Sequence, residues 1–325
     1  MSQSAHLWAL ILAAGEGDHP EALASEPCGT AVPRQFCSLR GDRTPLEDAI
    51  ARARALVDAE RVCAIVAQQH RQWWTEIAAL ERLVPGCLPG GNLIVQPRNR
   101  GNTIAILYSL LHVLACDPQA RVVILPADPH GRDEPVLRRE MLRALRAVEA
   151  EPQYPVLLGM QPGACDPEPG CSLSEAREAT GGRAGTRLGE PSVAGAAGEL
   201  ASPDGPWNMF ILAARAAALV ELFMPRHASL VMEMQVTLAR NLACGSPAAG
   251  WPAIVDLYER LPALDFSRDL LEGREGALRV QRVPTRGGSD LADARARAQR
   301  TGLRRAGLHE GVVQGERVEV GACPG

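Results

Sequence analysis

The chain has 325 residues, which is enough for one large α/β domain or two smaller ones, and its 46% apolar and 22% charged residues are those of an ordinary globular protein. The formal net charge is −4, so the sequence offers no basic surface for a nucleic-acid partner. All 34 basic residues are Arg, because the chain contains no Lys.

Short apolar runs alternate with amphipathic stretches in the first half of the chain, which is the pattern of βαβ units in a parallel sheet. We predict buried strands at 8–12, 62–66, 93–95, 122–125 and 155–158. Helices are predicted between them at 46–57, 71–83, 104–114 and 136–148. This alternation favours a doubly wound α/β sheet over an all-β or all-α fold.

Residues 161–206 are rich in Gly, Pro, Ala and Ser and show no apolar period, so we predict a long loop or insertion there. Further strands are predicted at 207–212 and 278–283, and helices at 215–223 and 230–242. A Val/Glu alternation in the tail is compatible with a small terminal strand pair. We divide the chain into one domain, 1–300, and a C-terminal tail, 301–325.

The nine cysteines form no Cys-x-x-Cys pair, and no histidine lies at metal-ligand spacing from them. Such an odd, scattered set is typical of reduced cytosolic thiols and not of a disulfide framework or zinc site. The apolar run at 7–14 follows no positive charge and is too short to span a membrane. We therefore expect a cytoplasmic protein with no membrane partner.

The first candidate motif is Gly15-Glu16-Gly17, just after the predicted strand 8–12. Glycines in such a turn let backbone N–H groups approach phosphate. A plain tight turn explains the pattern equally well. The third glycine and the immediate helix of a dinucleotide-binding motif are both missing.

The second motif contains Arg34, which follows Pro33 and precedes a short apolar segment. A cation fixed at this point can neutralise a substrate phosphate. The alternative is an ordinary solvated arginine on the surface.

Two aspartates complete the set of candidate residues. Asp128 follows the predicted strand 122–125, where open α/β sheets bind ligands, and its oxygens suit Mg²⁺ bound together with a phosphate chain. Asp290 follows the predicted strand 278–283 and is a candidate second ligand. Each aspartate can instead cap the segment that follows it.

In this order, the motifs resemble the mannose-1-phosphate guanylyltransferase branch of the sugar-phosphate nucleotidyltransferases over roughly residues 7–300. The family's glycine loop resembles 12–20, its Pro-Lys-Gln-Phe resembles 33–36, its Glu-Pro-x-x-Arg-Asn-Thr-Ala resembles 96–103, and its Pro-Ala-Asp-His resembles 126–129. Its Trp-Asn-Ser-Gly-Met-Phe is similar to 207–210, its Ser-Ile-Asp to 267–269, and its Gly-Trp-Ser-Asp to 287–290.

The resemblance implies an α/β, three-layer Rossmann-like nucleotidyltransferase fold with a mostly parallel central sheet. It also implies that a sugar-1-phosphate oxygen attacks the α-phosphorus of a nucleoside triphosphate in line, and that pyrophosphate leaves. GTP and mannose-1-phosphate are the substrates that the resemblance favours, with Mg²⁺ as cofactor. Such a reaction depends on positioning and on neutralising charge.

The resemblance also implies roles for individual residues. Arg34 and Asp128 would be catalytic, and Asp128 and Asp290 would bind the metal. The nucleotide would contact Ala14, Gly15, Gly17, Arg100, Asn102 and Thr103. The sugar would contact Asn208 and Asp269.

The chain departs from the family pattern at several of these positions. Arg34 replaces a Lys, and its forked guanidinium does not reproduce a point charge. In the glycine loop, Glu16 and Asp18 add negative charge, and His19 stands where the family has Arg. The sugar-binding loops keep little of the family pattern at 169–173 and 189–191.

Two hypotheses follow: an active nucleotidyltransferase, which we favour, and a non-catalytic relative that acts as a binding or scaffold subunit. A third hypothesis, a nicotinamide-dependent oxidoreductase, is supported only by the glycine turn at 15–17. The sequence leaves the oligomeric state open, a homo-oligomer included.

Overall fold

The computed structural model describes residues 6–15, 32–36, 43–75, 77, 88, 91–127, 134–160, 177–178, 207–243, 247–264, 266–271 and 274–283. The predicted tail 301–325 and nearly all of the predicted insertion 161–206 lie outside these residues. Within the described part, no helix has the length and apolar character needed to cross a membrane.

In the described residues the strands form one mixed sheet of eight members with the order β3-β2-β1-β4-β7-β5-β8-β6. The strands are β1 (Leu7–Ala13), β2 (Val62–Ala67), β3 (Leu93–Gln96), β4 (Arg121–Pro126), β5 (Val156–Met160), β6 (Arg177–Glu178), β7 (Trp207–Arg215) and β8 (Arg279–Val283). Among these strands, β7 alone runs antiparallel to its neighbours β4 and β5, and the other pairs are parallel.

Helices cover both faces of this sheet. They are α1 (Pro45–Arg54), α2 (Arg71–Trp74), α3 (Gly101–Cys116), α4 (Glu134–Ala150), α5 (Ala216–Ala243) and α6 (Pro247–Arg260). Residues of α3, α5 and α6 form the core on one face, and residues of α1 and α4 form the core on the other. The result is the three-layer α/β architecture with a mostly parallel sheet that the family resemblance implies.

Strand β1 is apolar along its whole length because both of its faces are buried. Trp8, Leu10 and Leu12 point into one core, while Ala9 and Ile11 point into the other. A strand at the centre of a sheet that is covered on both faces must be apolar at every position. For the same reason, all the residues of β1 and β2 are buried.

The strand predictions are confirmed to within two or three residues at each end, with β7 extending three residues further than predicted. Helix α1 begins as its sequence indicates, with Thr44 and Glu47 forming a reciprocal capping box and Pro45 in the first turn. It ends at Arg54, three residues before the predicted end. Helix α2 ends at Trp74, where Thr75 is its C-cap, and Ile77 is not helical, so the helix predicted over 71–83 does not continue through these residues. Most of the remaining positions up to 83 lie outside the described residues.

The two helices predicted at 215–223 and 230–242 are confirmed. They are the two arms of α5, which adjoin at a kink where His227 has a non-helical φ of −132° and ψ of 29°. Pro225 lies two residues before the kink. Proline favours a kink at this point because it removes a backbone hydrogen bond and crowds the preceding turn. Helix α6 was not predicted at all.

Candidate active site

The parallel strands bring several predicted residues to one edge of the sheet. Strands β3, β2, β1 and β4 are adjacent and parallel, so Gln96, Ala67, Ala13 and Pro126 all end at the same edge. This carboxyl edge is where open α/β sheets bind ligands. The loops that follow these strands are therefore the candidate active site.

Strand β7 adds a further segment to the same edge. It runs antiparallel to β4, with Ile124 opposite Leu212, so its first residues extend past the end of β4. The backbone of Asn208 is in this part of the strand, and its side chain lies outside what the structure describes. The predicted sugar-side motif thus begins beside the end of the strand that leads to Asp128.

The loop after β1 is held by a glutamine from another segment. Ala14 is buried and Gly15 is partly exposed. The amide Nε2 of Gln35, which is itself buried, donates to the carbonyl oxygens of Ala13 at 3.2 Å and Gly15 at 2.8 Å. The rest of the predicted phosphate loop, Gly17 included, lies outside the described residues.

Gln35 belongs to a short 3-10 turn, Arg34–Phe36, whose backbone is closed by a hydrogen bond of 2.9 Å from Phe36 N–H to the Pro33 carbonyl. The Phe36 ring packs edge-on against His70, with ring centroids 5.9 Å apart. The backbone of Arg34 therefore lies next to the loop after β1. Its side chain is outside the described residues.

The chain that leads to Asp128 is fixed beside the same loop. The Ala127 N–H donates to the Leu12 carbonyl at 3.0 Å, which continues the pairing of β4 with β1 by one residue. Asp128 itself and the second predicted ligand, Asp290, lie outside the described residues. Among the residues that are described, no three His, Cys, Asp or Glu side chains are grouped as metal ligands.

The segment after β3 forms the amino end of α3. Gly101 has a φ of +84°, and its N–H donates to Asn99 Oδ1 at 2.9 Å. A Cβ at Gly101 would lie 2.7 Å from the Leu264 carbonyl oxygen, so only glycine fits. Loop 96–101 is thus packed directly on the chain that leaves α6.

The three nucleotide-binding residues predicted in this segment have different surroundings. Arg100 donates from Nε to the Tyr258 carbonyl at 2.9 Å and from Nη2 to the Glu259 carbonyl at 3.3 Å. Asn102 is exposed in the first turn of α3. Thr103 is fully buried, and its hydroxyl has no hydrogen-bond partner among the described residues.

Gln96, where the family has Glu, is fully buried at the end of β3. Its Oε1 accepts a hydrogen bond from the Tyr258 hydroxyl at 3.3 Å, and its Nε2 has no partner within the described chain. Desolvation raises the pKa of Tyr258 well above its ordinary value, so this hydroxyl stays a donor. Gln96 is a polar group of this edge to which the sequence interpretation assigned no role.

The predicted sugar-side residues lie on two segments that meet. Strand β7 contains a bulge where its pairing with β5 shifts, and Phe210 within it has a φ of 55°, an uncommon value for a bulky residue. The Phe210 ring packs edge-on against Phe266, with centroids 5.7 Å apart. Phe266 begins the π-helical segment Phe266–Leu271, which contains Asp269.

The structure thus brings together the segments that contain most of the predicted residues. The glycine loop, the Arg34 turn and the approach to Asp128 adjoin one another, and the segments of Asn208 and Asp269 meet through two phenylalanines. Gln35 was part of the Pro33–Phe36 motif without an assigned role. No local pattern marked it as buried, because its partners, Ala13 and Gly15, are 22 and 20 residues away in the chain.

Comparison with known proteins agrees with the motif resemblance. No protein-family profile matches the chain. It is 29% identical over 213 residues to the xanthan biosynthesis protein XanB of two strains of Xanthomonas campestris pv. campestris, a match that covers 65% of this chain. The chain spans 43% of the length of these curated relatives.

Among solved structures, a mannose-1-phosphate geranyltransferase from Thermus thermophilus superposes with a TM-score of 0.61 and 26% identity, covering 88% of this chain and 76% of the other. A mannose-6-phosphate isomerase from Helicobacter pylori has a TM-score of 0.58 at 14% identity, covering 87% and 98%. A putative glucose-1-phosphate thymidylyltransferase from Bacillus anthracis has 0.50 at 11%, covering 90% and 94%.

The last two are alike in fold alone at such identities. The chain has the fold of the sugar-phosphate nucleotidyltransferases, and it is similar in sequence to the xanthan biosynthesis protein XanB.

Proposed function

We propose that this protein transfers the nucleoside monophosphate of GTP to mannose-1-phosphate in the cytoplasm, with Mg²⁺ as cofactor and pyrophosphate as the second product. The observation that carries the proposal is the junction of three segments at the carboxyl edge of the sheet. There the glycine loop after β1 is bound to the Arg34 turn by Gln35 and lies beside the chain that enters Asp128. A triphosphate bound at this edge would meet backbone N–H groups, a cation and a carboxylate together.

Strand order supports a shared metal site for Asp128 and Asp290. Strand β8 is parallel to β5, and both end at the same edge as β4, from which β8 is separated by β7 and β5. Three strand spacings amount to about 14 Å. Asp290 follows the end of β8 by seven residues, which can span up to roughly 23 Å when extended. Its carboxylate can therefore reach the Asp128 loop.

The chain's own groups would act by positioning and by neutralising charge. The N–H groups of the glycine loop would bind the triphosphate, and Arg34 would offset its negative charge. Asp128 and Asp290 would hold the Mg²⁺, which would supply charge stabilisation for the leaving pyrophosphate. The sugar phosphate would bind from the side of β7, where the segments that contain Asn208 and Asp269 meet through Phe210 and Phe266.

The choice of GTP rests on the motif resemblance, and the choice of mannose-1-phosphate rests on that resemblance and on the Thermus relative, which is named for the same sugar phosphate. We therefore expect the highest rate of pyrophosphate release with this pair, in a panel of four nucleoside triphosphates and several sugar-1-phosphates with Mg²⁺. A different preferred pair would replace the specific assignment and leave the general reaction standing. No turnover with any pair would contradict the general reaction.

The metal assignment is tested by Asp128→Asn, which removes a charge with little change in size. We expect at least a 100-fold loss of kcat/KM, roughly the order of magnitude for a lost electrostatic contact in a transition state. Asp58→Asn is the matched control, because Asp58 is an exposed aspartate that pairs with Arg61 and lies on the helix-to-strand connection before β2. Equal activity in the two variants would contradict the role of Asp128.

One observation favours the non-catalytic alternative. The side chain of Arg100, a predicted nucleotide contact, is bound to two carbonyls at the end of α6. A scaffold subunit would show neither turnover nor thermal stabilisation by any nucleoside triphosphate, and would copurify with a partner protein. Stabilisation by a nucleotide together with turnover would exclude it.

A further inference from the structure

We propose that Gln35 is a positioning residue that sets the direction of the Ala14 N–H in the loop that receives the triphosphate. The proposal rests on the proposed function and assigns a role to a residue outside the predicted catalytic and binding set. It is carried by the contacts that Gln35 makes with the loop after β1.

The Gln35 side chain is committed to this loop. It is only 4% exposed, and a primary amide has two N–H donors. Both are accounted for by the carbonyls on either side of Ala14, at 3.2 Å to Ala13 and 2.8 Å to Gly15. The two contacts join segments that are 20 and 22 residues apart in the chain. Gln35 therefore fixes two peptide planes of a short loop at once.

Peptide geometry then determines where the next donor points. The described chain has no cis peptide bond, and in a planar trans peptide the carbonyl and the following N–H point in opposite directions. The Ala13 carbonyl points to Gln35, whose turn packs through Phe36 on His70, just beyond the end of β2. The Ala14 N–H therefore points away from β2, toward the neighbouring strand β4 and the chain that enters Asp128.

The same contact links the cation to the loop. Gln35 and Arg34 are neighbours in one 3-10 turn, which is anchored by the buried Val32, Pro33 and Phe36. A shift of the loop relative to this turn would change both the N–H direction and the distance between the Arg34 backbone and the bound phosphate. Loss of the Gln35 amide should therefore weaken triphosphate binding more than sugar-phosphate binding.

The test is Gln35→Met, which keeps the length of the side chain and removes both donors. We expect the KM for the nucleoside triphosphate to rise about tenfold or more, the effect of losing roughly one oriented hydrogen bond. The inhibition constant of inorganic pyrophosphate should rise in parallel. The KM for the sugar-1-phosphate should change less than about threefold, within the effect of a minor local shift.

Gln281→Met is the matched control. Gln281 is also a buried glutamine, and its Nε2 donates to the Glu140 carbonyl at 2.8 Å and carboxylate at 2.9 Å, on strand β8 beneath α4. The Gln281→Met variant should lower the midpoint of thermal unfolding about as much as Gln35→Met does, without changing the KM for the triphosphate or for the sugar-1-phosphate. If Gln35→Met does not fold, Gln35→Asn keeps the amide on a shorter stem, and it should raise the triphosphate KM to a smaller extent.

The outcomes separate this proposal from the proposed function. Turnover by the parent protein with an unchanged triphosphate KM in the Gln35 variant would overturn the role of Gln35 alone. Equal changes in both KM values, or the same change in Gln281→Met, would show a merely structural role and overturn it too. No turnover and no pyrophosphate binding by the parent protein would overturn the proposed function and this inference together.

Discussion

Gly101 is held in a left-handed conformation at the point where loop 96–101 enters α3. Its φ of +84° is accessible to glycine at little cost, and the Leu264 carbonyl occupies the space that a Cβ would need. Sequence alone did not show this, because a glycine after Arg100 is equally compatible with an insertion in the family motif. The constraint comes from a chain segment more than 160 residues away, which no local pattern contains.

We predict that Gly101→Ala lowers the free energy of unfolding by about 1–3 kcal/mol, because the Cβ meets a backbone oxygen at 2.7 Å and the φ is unfavourable. Urea denaturation followed by circular dichroism measures the change. Gly276→Ala is the control, since nothing lies within 4 Å of the position of its Cβ. Equal stabilities of the two variants would show that the loop relaxes around the added methyl group.

Phe210 is a second residue whose conformation sequence could not reveal. Its positive φ accompanies the bulge in β7, and the motif Trp-Asn-Met-Phe is two residues shorter than the family's version. The bulge orients the Phe210 ring toward Phe266. The family motif predicted a role for this segment, but the irregular backbone that places it depends on pairing with β5.

At the scale of elements, α6 is the helix that the sequence interpretation missed. Pro247, Gly250 and Pro252 obscure its start, since proline and glycine are typical of turns. The available signal was the spacing of Ile254, Leu257, Tyr258 and Leu261, which is the i, i+3, i+4, i+7 pattern of one helix face. All four side chains are buried.

Strands β1, β2 and β4 were predictable for the opposite reason. They are nearly continuous apolar runs whose residues are almost all buried, so their signal does not depend on partners. The two arms of α5 were predictable as well, because each arm is periodic, whereas the contacts around the kink at His227 come from residues remote in the chain. There, Arg274 donates to the Leu222 carbonyl at 2.6 Å, and Arg226 donates to the Asp269 carbonyl at 3.3 Å.

Arg100 connects two elements, and we predict that Arg100→Met destabilises the protein by about 1–3 kcal/mol through the loss of two hydrogen bonds to the last carbonyls of α6. Arg98→Met is a close control. Arg98 lies two residues earlier and forms an exposed ion pair with the Glu259 carboxylate at 2.6 Å, which contributes at most about 1 kcal/mol.

Thermal or chemical unfolding of the two variants measures this difference. A larger effect of Arg98→Met than of Arg100→Met on stability would contradict the assigned contacts. The activity of Arg100→Met tests the predicted nucleotide contact separately, because a purely connecting arginine leaves the triphosphate KM of the folded variant unchanged.

At the scale of the whole molecule, α3 is a buried helix whose polar groups affect the response to acid. His112 donates from Nδ1 to the Tyr108 carbonyl at 2.9 Å and packs edge-on against the Tyr108 ring, with centroids 4.4 Å apart. Desolvation lowers the pKa of His112 from 6.5 to about 4, and the hydrogen bond to Tyr108 opposes this only in part.

The direction of the pH effect follows from this shift. Between pH 6.5 and about pH 4, the unfolded chain binds a proton at His112 and the folded chain does not, so the free energy of unfolding falls as the pH falls. We predict a loss on the order of 1–3 kcal/mol over this range from this group. In His112→Gln this loss should be smaller. Urea denaturation at about pH 7 and at about pH 4.5 measures the free energy of unfolding near the two ends of the range. A variant with the parent's pH dependence would contradict the assignment.

The strand order has a consequence for how the protein is made. Strand β5 acquires its two neighbours only from β7 and β8, the second of which begins at Arg279. During synthesis, β5 is complete before β8 has been made. Until β8 is made, one edge of β5 exposes unpaired backbone groups, which are prone to intermolecular pairing. Ribosome-bound chains that end before Arg279 should therefore need chaperones, and C-terminal truncations that remove β8 should aggregate.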